Sequence, residues 1–248
     1  MTWQTFSLIH IITLILTIFI IVGLYFILRN KTEKVKIITL FILSLSGICA
    51  IIYNLIVWDS PLEYLPFHMC SINAIILPIA ILTRNKTIGN LLILWSLGAL
   101  VALILNYPAA DYELLSWTFV IYYFPHTLEF GIPILLFVFG IIKLDYKNIA
   151  STLLITFVIY TAVHFINVGL NNYFIKNNIL DWAGNVIQVN YMFSFSPDNP
   201  ALQLFYNIIP YKYFYMLLVF PVILVYEVLI YLPRIIKEKS YNVAFKQI

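Results

Sequence analysis

The stretch FSLIHIITLILTIFIIVGLYFILRNKTEKVK, residues 6–36, decides the fold. Its apolar part, from about residue 6 to 28, carries no acid, lysine or arginine and then meets Arg29, Lys31, Lys34 and Lys36 within eight positions. A helix needs about 20 apolar residues to cross the hydrocarbon of a bilayer, so this run reads as a membrane span with a basic flank. Its head (Thr2, Gln4, Thr5) is polar but not basic, which fits a retained span better than a cleaved signal peptide.

Working outward, the same pattern recurs. Apolar runs fall at about 6–28, 37–57, 66–82, 88–106, 117–142, 149–170 and 211–232. The breaks between them alternate in charge. Arg29 to Lys36, then Arg84 and Lys86, then Lys143 and Lys147, then Arg234, Lys237, Lys239 and Lys246 occupy every second break. The others hold Asp59, Glu63, Asp111, Glu113, Asp181 and Asp198, with Lys176 and Lys212 as their cations. Short cytoplasmic loops collect Lys and Arg. The expectation is therefore an all-α, polytopic membrane bundle of about seven transmembrane helices, N-terminus outside and C-terminus cytoplasmic, in the cell membrane. Trp3, Trp58, Trp117, Trp182 and the Tyr122–Tyr123 pair fall near the outer boundaries, where an aromatic belt is expected. Pro78 in the third run and Pro125 and Pro133 in the fifth predict kinks.

Composition agrees. Of 248 residues 62% are hydrophobic and 10% charged, against about 25% charged in soluble domains. The length is nearly used up by spans, so residues 1–248 read as a single integral membrane domain. The net charge of +3 sits in loops beside spans and calls for no nucleic acid; the partners expected are membrane lipids, and the oligomeric state is open. Cys49 and Cys70 both lie in apolar runs and do not read as a disulfide; Cys49 reads as a buried, inert thiol. Residues 171–210 are polar, aromatic and turn-rich. A connection of that length is usually functional or disordered, and its aromatic residues (among them Tyr173, Trp182, Tyr191 and Phe195) favour a folded cap over the outer mouth.

Ionisable groups in hydrocarbon cost several kcal/mol or more and mark sites. All four histidines fall in the outer half. His10 reads as structural. His68 opens the third span, with Cys70 two residues on and Asn73 three beyond that. His126 lies about 13 Å into the fifth span at 1.5 Å per residue, and Glu129 follows it by three. Asn167 likewise follows His164 by three, so each histidine shares a helical face with a polar partner. Cys70 near a helix N-terminus has its thiolate favoured. His126 is the candidate base, Glu129 the group that orients it, and the backbone N–H groups opening the third span the candidate oxyanion site. Zinc held by His68, Cys70, His126 and His164 is a second chemistry, although neither HExxH nor CxxC occurs; no cofactor or metal is expected. Glu227, in the last span toward the inner side, reads as structural with Tyr231 four residues on as its partner. Ser71 and Ser194 lack a local context for a nucleophile.

The string LPFHMCSINAIILPIAILTRNK resembles the hallmark segment of YwaF-type bacterial membrane proteins, relatives of transmembrane protein 164. FPHTLEFGIPILL is similar to that family's later histidine-bearing helix, and NVIQVNYMFSFSPDNPALQLF to its NYMFL-type outer segment, with Pro210, Tyr211 and Tyr213 opening the last span. The animal relatives are described as acyltransferases acting on lyso-ether phospholipids through a cysteine. That resemblance implies a thiol on Cys70, the later histidine on His126, and His68 as the motif's first histidine. Ser71, Ile72 and Asn73 after the cysteine, and Pro125 and Thr127 beside His126, depart from the family pattern and bear on substrate.

The expected function is a thiol-dependent acyltransferase or lipid hydrolase working on a phospholipid-like acyl ester from the outer leaflet. Cys70, His126, His68 and Glu129 are its catalytic candidates; Asn73, His164, Asn167, Asn190 and Tyr191 are its substrate-binding candidates, in a pocket between spans three, five and six. A lipid- or small-molecule-binding protein or transporter component, and a metal-dependent membrane hydrolase, are the alternatives.

Overall fold

A computed structural model describes residues 1–106 and 109–245, with side chains through Ile236. Lys246 falls outside the described residues, as do the side chains of Lys237 and Lys239. Eight α-helices are described: α1 (Leu8–Leu28), α2 (Glu33–Val57), α3 (Met69–Thr83), α4 (Lys86–Leu105), α5 (Trp117–Val138), α6 (Ile149–Asn177), α7 (Pro200–Ile208) and α8 (Val219–Phe245). Among the described residues no strand forms; Thr2–Glu113 and Leu180–Val186 are isolated bridges.

Polar residues stop and start these helices by occupying orphan backbone N–H groups. Ser7 accepts from His10 N, Thr32 from Val35 N, Asn85 from Ile88 N, Ser116 from Phe119 N and Asn199 from Leu202 N. α5 runs through Pro125 and Pro133, and α3 through Pro78.

Six stretches are long and apolar enough to cross a membrane: α1, α2, α4, α5, the stretch Tyr146–Asn177 that contains α6, and Phe214–Ile236 at the start of α8. Each of the seven expected spans is matched by a helix, but α3 has 15 residues, about 22 Å long against about 30 Å of hydrocarbon. Two further boundaries move. α6 continues to Asn177, past the expected end at 170, and α7 is an amphipathic helix within the segment expected to cap the bundle.

Contacts between loops define two ends. At one, Trp3 N donates to Tyr112 O and Trp182 N to Ser60 Oγ. At the other, Glu33 pairs with Arg84 at 2.7 Å, Asn90 donates to Lys143 O, and Arg234 reaches Leu144 O. The cation-rich breaks thus share one end, as the charge alternation requires. We call the opposite end, which carries residues 1–7, the N-terminal side.

α4 is the central post. Gly89 to Ser96 is buried without interruption, and the helix packs on α3, α5, α6 and α8. A helix apolar all round is buried on all sides. The main core, with Leu40, Leu77, Ile81, Leu92, Leu128 and Ile132, lies among α1–α5 on the cation-rich side of the bundle. α2 crosses α3 and α5 at Gly47, where an added Cβ meets Ala74 Cβ at 2.6 Å and Glu129 Oε1 at 3.2 Å. Gly47→Ala is therefore expected to wedge α2 outward at a cost of about 1–3 kcal/mol, read as a lower thermal midpoint in detergent. Gly23→Ala, with nothing within 4 Å, is the neutral control.

The aromatic belt is corrected in part. Trp117 and Trp182 are exposed, but Trp3 is fully buried among Phe119, Tyr122 and Tyr123 and donates to Thr13 Oγ1 at 2.8 Å. Its indole N–H needs a buried acceptor, and the Thr13 hydroxyl supplies one.

Candidate functional site

α3 carries two faces. Met69 and Ile72 point toward α4, α6 and the segment after α6. Cys70, Asn73 and Ala74 point toward α2 and α5. The expected single pocket between spans three, five and six is accordingly replaced by two polar clusters, because α4 packs on both α5 and α6 and stands between them.

The first cluster lies between α2, α3 and α5. On α5, Tyr122, His126 and Glu129 follow an i, i+4, i+7 spacing and share a face. His126 Nδ1 lies 2.7 Å from the Tyr122 carbonyl oxygen, and the two rings stack at 4.4 Å. A carbonyl only accepts, so Nδ1 carries the hydrogen and Nε2 presents its lone pair. Nε2 has no hydrogen-bond partner among the described residues. The role expected of Glu129 is thus filled by a backbone carbonyl one turn earlier: Glu129 does not hydrogen-bond His126. Its carboxylate lies beside the Asn73 amide and within charge reach of the Cys70 sulfur, as does the Tyr122 phenol. Asn73 and Glu129 are both buried and face each other, and Asn73 Nδ2, Asn73 Oδ1 and Glu129 Oε2 make no hydrogen bond of ordinary length to any other group.

Cys70 is the second residue of α3. His68, at the N-cap, makes no side-chain capping bond. The N–H groups of Met69, Cys70 and Ser71 consequently find no backbone or side-chain oxygen, and the Cys70 sulfur sits beside those of Cys70 and Ser71. No hydrogen bond joins Cys70 to His126.

The second cluster holds the cap. Asn167 on α6 accepts from Tyr191 N at 3.1 Å and donates to Tyr191 O at 2.8 Å and Ser194 Oγ at 2.9 Å. One turn on, Asn171 repeats the pattern with Val189 N and O, at 2.8 and 2.9 Å. Four helical residues rise about 6 Å and two extended residues about 6.6 Å, so two asparagines four apart clamp alternate residues of an antiparallel extended segment. His164 Nδ1 meets Ser194 Oγ at 3.0 Å. His68 leaves the thiol cluster for this one, with its ring against Tyr191 and Phe193 and Nδ1 accepting from Met192 N at 3.4 Å. Tyr191 is buried and donates to Leu62 O; burial pushes its phenol up to about 12, so it stays a donor. Asn190 binds Ser196 and Asp198 within its own turn. Of the residues expected to bind substrate, Asn167, Asn190 and Tyr191 thus use their side-chain polar atoms to shape the cap, and His164 uses Nδ1.

Other expectations resolve simply. His10 is buried, accepts from Phe6 N and donates through Nε2 to Leu103 O. Glu227 pairs with Thr152 at 2.7 Å rather than with Tyr231, whose hydroxyl goes to Asn90. Among the described residues no three His, Cys, Asp or Glu side chains gather as metal ligands. Both cysteines are free, and Cys49 is exposed rather than buried. It lines an open groove of about 490 Å³ with Ile52, Tyr53, Trp117 and Ile121, along the seam of α2 and α5. A membrane-permeant maleimide is expected to modify Cys49 before Cys70, read by mass spectrometry of peptides over time. Ser194 is the participant that sequence reading passed over; its role comes from contacts with α6 across 27 or more residues.

Residues 2–231 match the sequence model of the TMEM164 family. No curated protein and no solved structure matches the chain.

Proposed function

The chain belongs to the TMEM164 family, and from that premise we propose that it is a cell-membrane, YwaF-type, thiol-dependent acyltransferase. Its substrate is a phospholipid-like acyl ester presented by the leaflet on the N-terminal side, taken to be the outer one. The observation that carries this reading is the state of His126: Nδ1–H is spent on the Tyr122 carbonyl and Nε2 is left as a bare proton acceptor, on the α5 face that looks toward Cys70.

Each half-reaction uses groups already in place. Cys70 Sγ attacks the ester carbonyl and its proton passes to His126 Nε2. The developing oxyanion meets the uncapped N–H groups of Met69, Cys70 and Ser71, at the positive end of α3. The C–O bond breaks, His126 returns the proton to the departing alkoxide, and a thioester remains on Cys70. An acceptor then repeats the sequence in reverse. The contact between Cys70 and His126 closes in the complex, since catalytic hydrogen bonds of apo enzymes are often long. The apolar groove lined by Cys49, Ile52, Tyr53, Trp117 and Ile121 gives a chain from the bilayer a place to lie along α5, the helix that carries His126.

The test is acylation of purified protein by a phospholipid bearing an alkyne-tagged chain. A hydroxylamine-labile label is expected on Cys70, kept in Cys49→Ala and lost in Cys70→Ala. Label that survives Cys70→Ala overturns the assignment.

A further inference from the structure

α7 stands outside the bundle core, and none of its residues is buried. It nevertheless has three distinct faces. Leu202 and Tyr206 are half-buried, and the Tyr206 ring meets Tyr215 at 5.3 Å where α7 packs on residues 214–218. Gln203 and Asn207, one turn apart and both exposed, pair with each other at 2.9 Å. On the third face Ala201, Leu204 and Ile208 follow an i, i+3, i+7 spacing, and Tyr211 continues it past the helix end. Leu204, Ile208 and Tyr211 are 66%, 69% and 67% exposed. No charged residue occurs in α7.

The chain fixes where this face lies. Phe214 opens a stretch long and apolar enough to cross the membrane. The step from Ile208 to Phe214 covers at most about 20 Å when extended, and the link is folded shorter than that. Tyr211 N donates to Ile209 O at 2.8 Å and Phe214 N to Lys212 O at 2.7 Å. The second of these closes a γ-turn with Tyr213 at φ 66°, ψ −53°, a rare and strained geometry. Such strain persists only where the surroundings over-determine it. Here Tyr213 N donates to Ser194 O and the Tyr160 hydroxyl to Tyr213 O, both at 2.7 Å. α7 is thereby held against the head of the last span. Lys212, in the same turn, is exposed, has its Nζ 4.9 Å from the Phe195 ring centroid and forms no ion pair among the described residues. With Lys176 it supplies the cations of the acid-bearing breaks.

We propose that α7 is a membrane-surface helix. Ala201, Leu204, Ile208 and Tyr211 seat at the boundary of headgroups and acyl chains in the leaflet on the N-terminal side, and Lys212 meets that leaflet's phosphates. A helix with one apolar and one polar face and a cation beside it suits that plane. A tyrosine there keeps its ring in and its hydroxyl out, and a lysine lays its stem on apolar surface while its ammonium reaches the phosphates. Lipid is the occupant because the face begins at the mouth of a span and the charge beside it is opposite to that of phosphate. The cap is then fixed at two points: α7 on the leaflet, and Asn167 and Asn171 on α6. The inference stands apart from the thioester chemistry and does not need it.

The experiment measures depth. The full chain, with Cys49→Ala and Cys70→Ala, is reconstituted into vesicles of phosphatidylcholine and phosphatidylglycerol. A nitroxide is placed in turn on Leu204→Cys, Ile208→Cys, Gln203→Cys and Asn207→Cys, all exposed positions whose replacement leaves the packing on Tyr215 alone. Depth is read from collisions with oxygen, which concentrates in lipid, against a water-soluble nickel chelate. The labels at 204 and 208 are expected about 5–10 Å below the phosphates, and those at 203 and 207 in water. All four labels in water overturn the proposal. So do labels at 204 and 208 shielded from oxygen and nickel alike, which mean that a second copy or another protein covers the face. Lys212→Glu sets an acid against the phosphates and is expected to make the labels at 204 and 208 shallower. Unchanged depth in that variant overturns the part given to the lysine.

Discussion

His126→Ala is expected to lower acyl transfer by about 10²–10⁴-fold, the range general acid–base catalysis supplies, with little change in thermal stability. The reason lies in how the ring is held. Its hydrogen bond is to Tyr122 O, a carbonyl of the preceding helical turn, which falls back to water or to its own helical bond when the ring is gone. Its stacking partner, Tyr122, keeps its own bond to Ala102 O. The same geometry makes Glu129→Gln milder on Cys70 acylation than a carboxylate–histidine pair predicts, because no bond between the two exists to lose. Thermal melts in detergent beside turnover with a tagged phospholipid decide it: a His126→Ala protein that is folded and keeps more than about a tenth of wild-type turnover is not missing its base.

How much of this was legible in the sequence follows from which forces act locally. The spans were legible because hydrocarbon demands uninterrupted apolar runs, and the gathering of the cation-rich breaks at one end because Lys and Arg fall in every second break. α3 was read at 66–82 and forms at 69–83, since the start of a helix depends on which residue caps it, and His68 does not. The spacing from His126 to Glu129 correctly put both on one face. It could not show that the ring's partner is a backbone carbonyl, as carbonyls are present at every position. The spacing from His164 to Asn167 likewise put both on one face, and what that face meets was not in the pattern. What it meets, Ser194, sits in a turn with left-handed backbone at Met192 (φ 52°) and Phe193 (φ 56°), which no residue-type pattern announces. Cys49 was misread because burial in a protein and burial in lipid look alike in an apolar run: both need only hydrophobic neighbours in sequence.

Asn167→Ala is expected to destabilise the protein by about 2–5 kcal/mol, the largest stability loss of any single change considered. Three hydrogen bonds go at once, and the groups left behind, Tyr191 N–H and C=O, are backbone atoms of a buried residue with no water to turn to. Each such orphan costs about 1–3 kcal/mol. Asn167→Asp is the sharper control. It keeps an acceptor for Tyr191 N but loses the donor to Tyr191 O and Ser194 Oγ, and sets a negative oxygen against a carbonyl. Asn171→Ala breaks the next rung of the same ladder, at a half-buried position where water can substitute, and is expected to cost less. The consequence reaches the thiol cluster through His68, whose ring packs on Tyr191 and Phe193 and whose backbone leads into α3. Loosening the cap should therefore let the first turn of α3 fray and move Cys70 off its amides. Limited proteolysis of residues 178–213, thermal melts and Cys70 acylation measured together test this. Cleavage and acylation should change in step in Asn167→Ala; a protected cap alongside lost acylation would mean that Asn167 touches substrate and does not serve as a clamp.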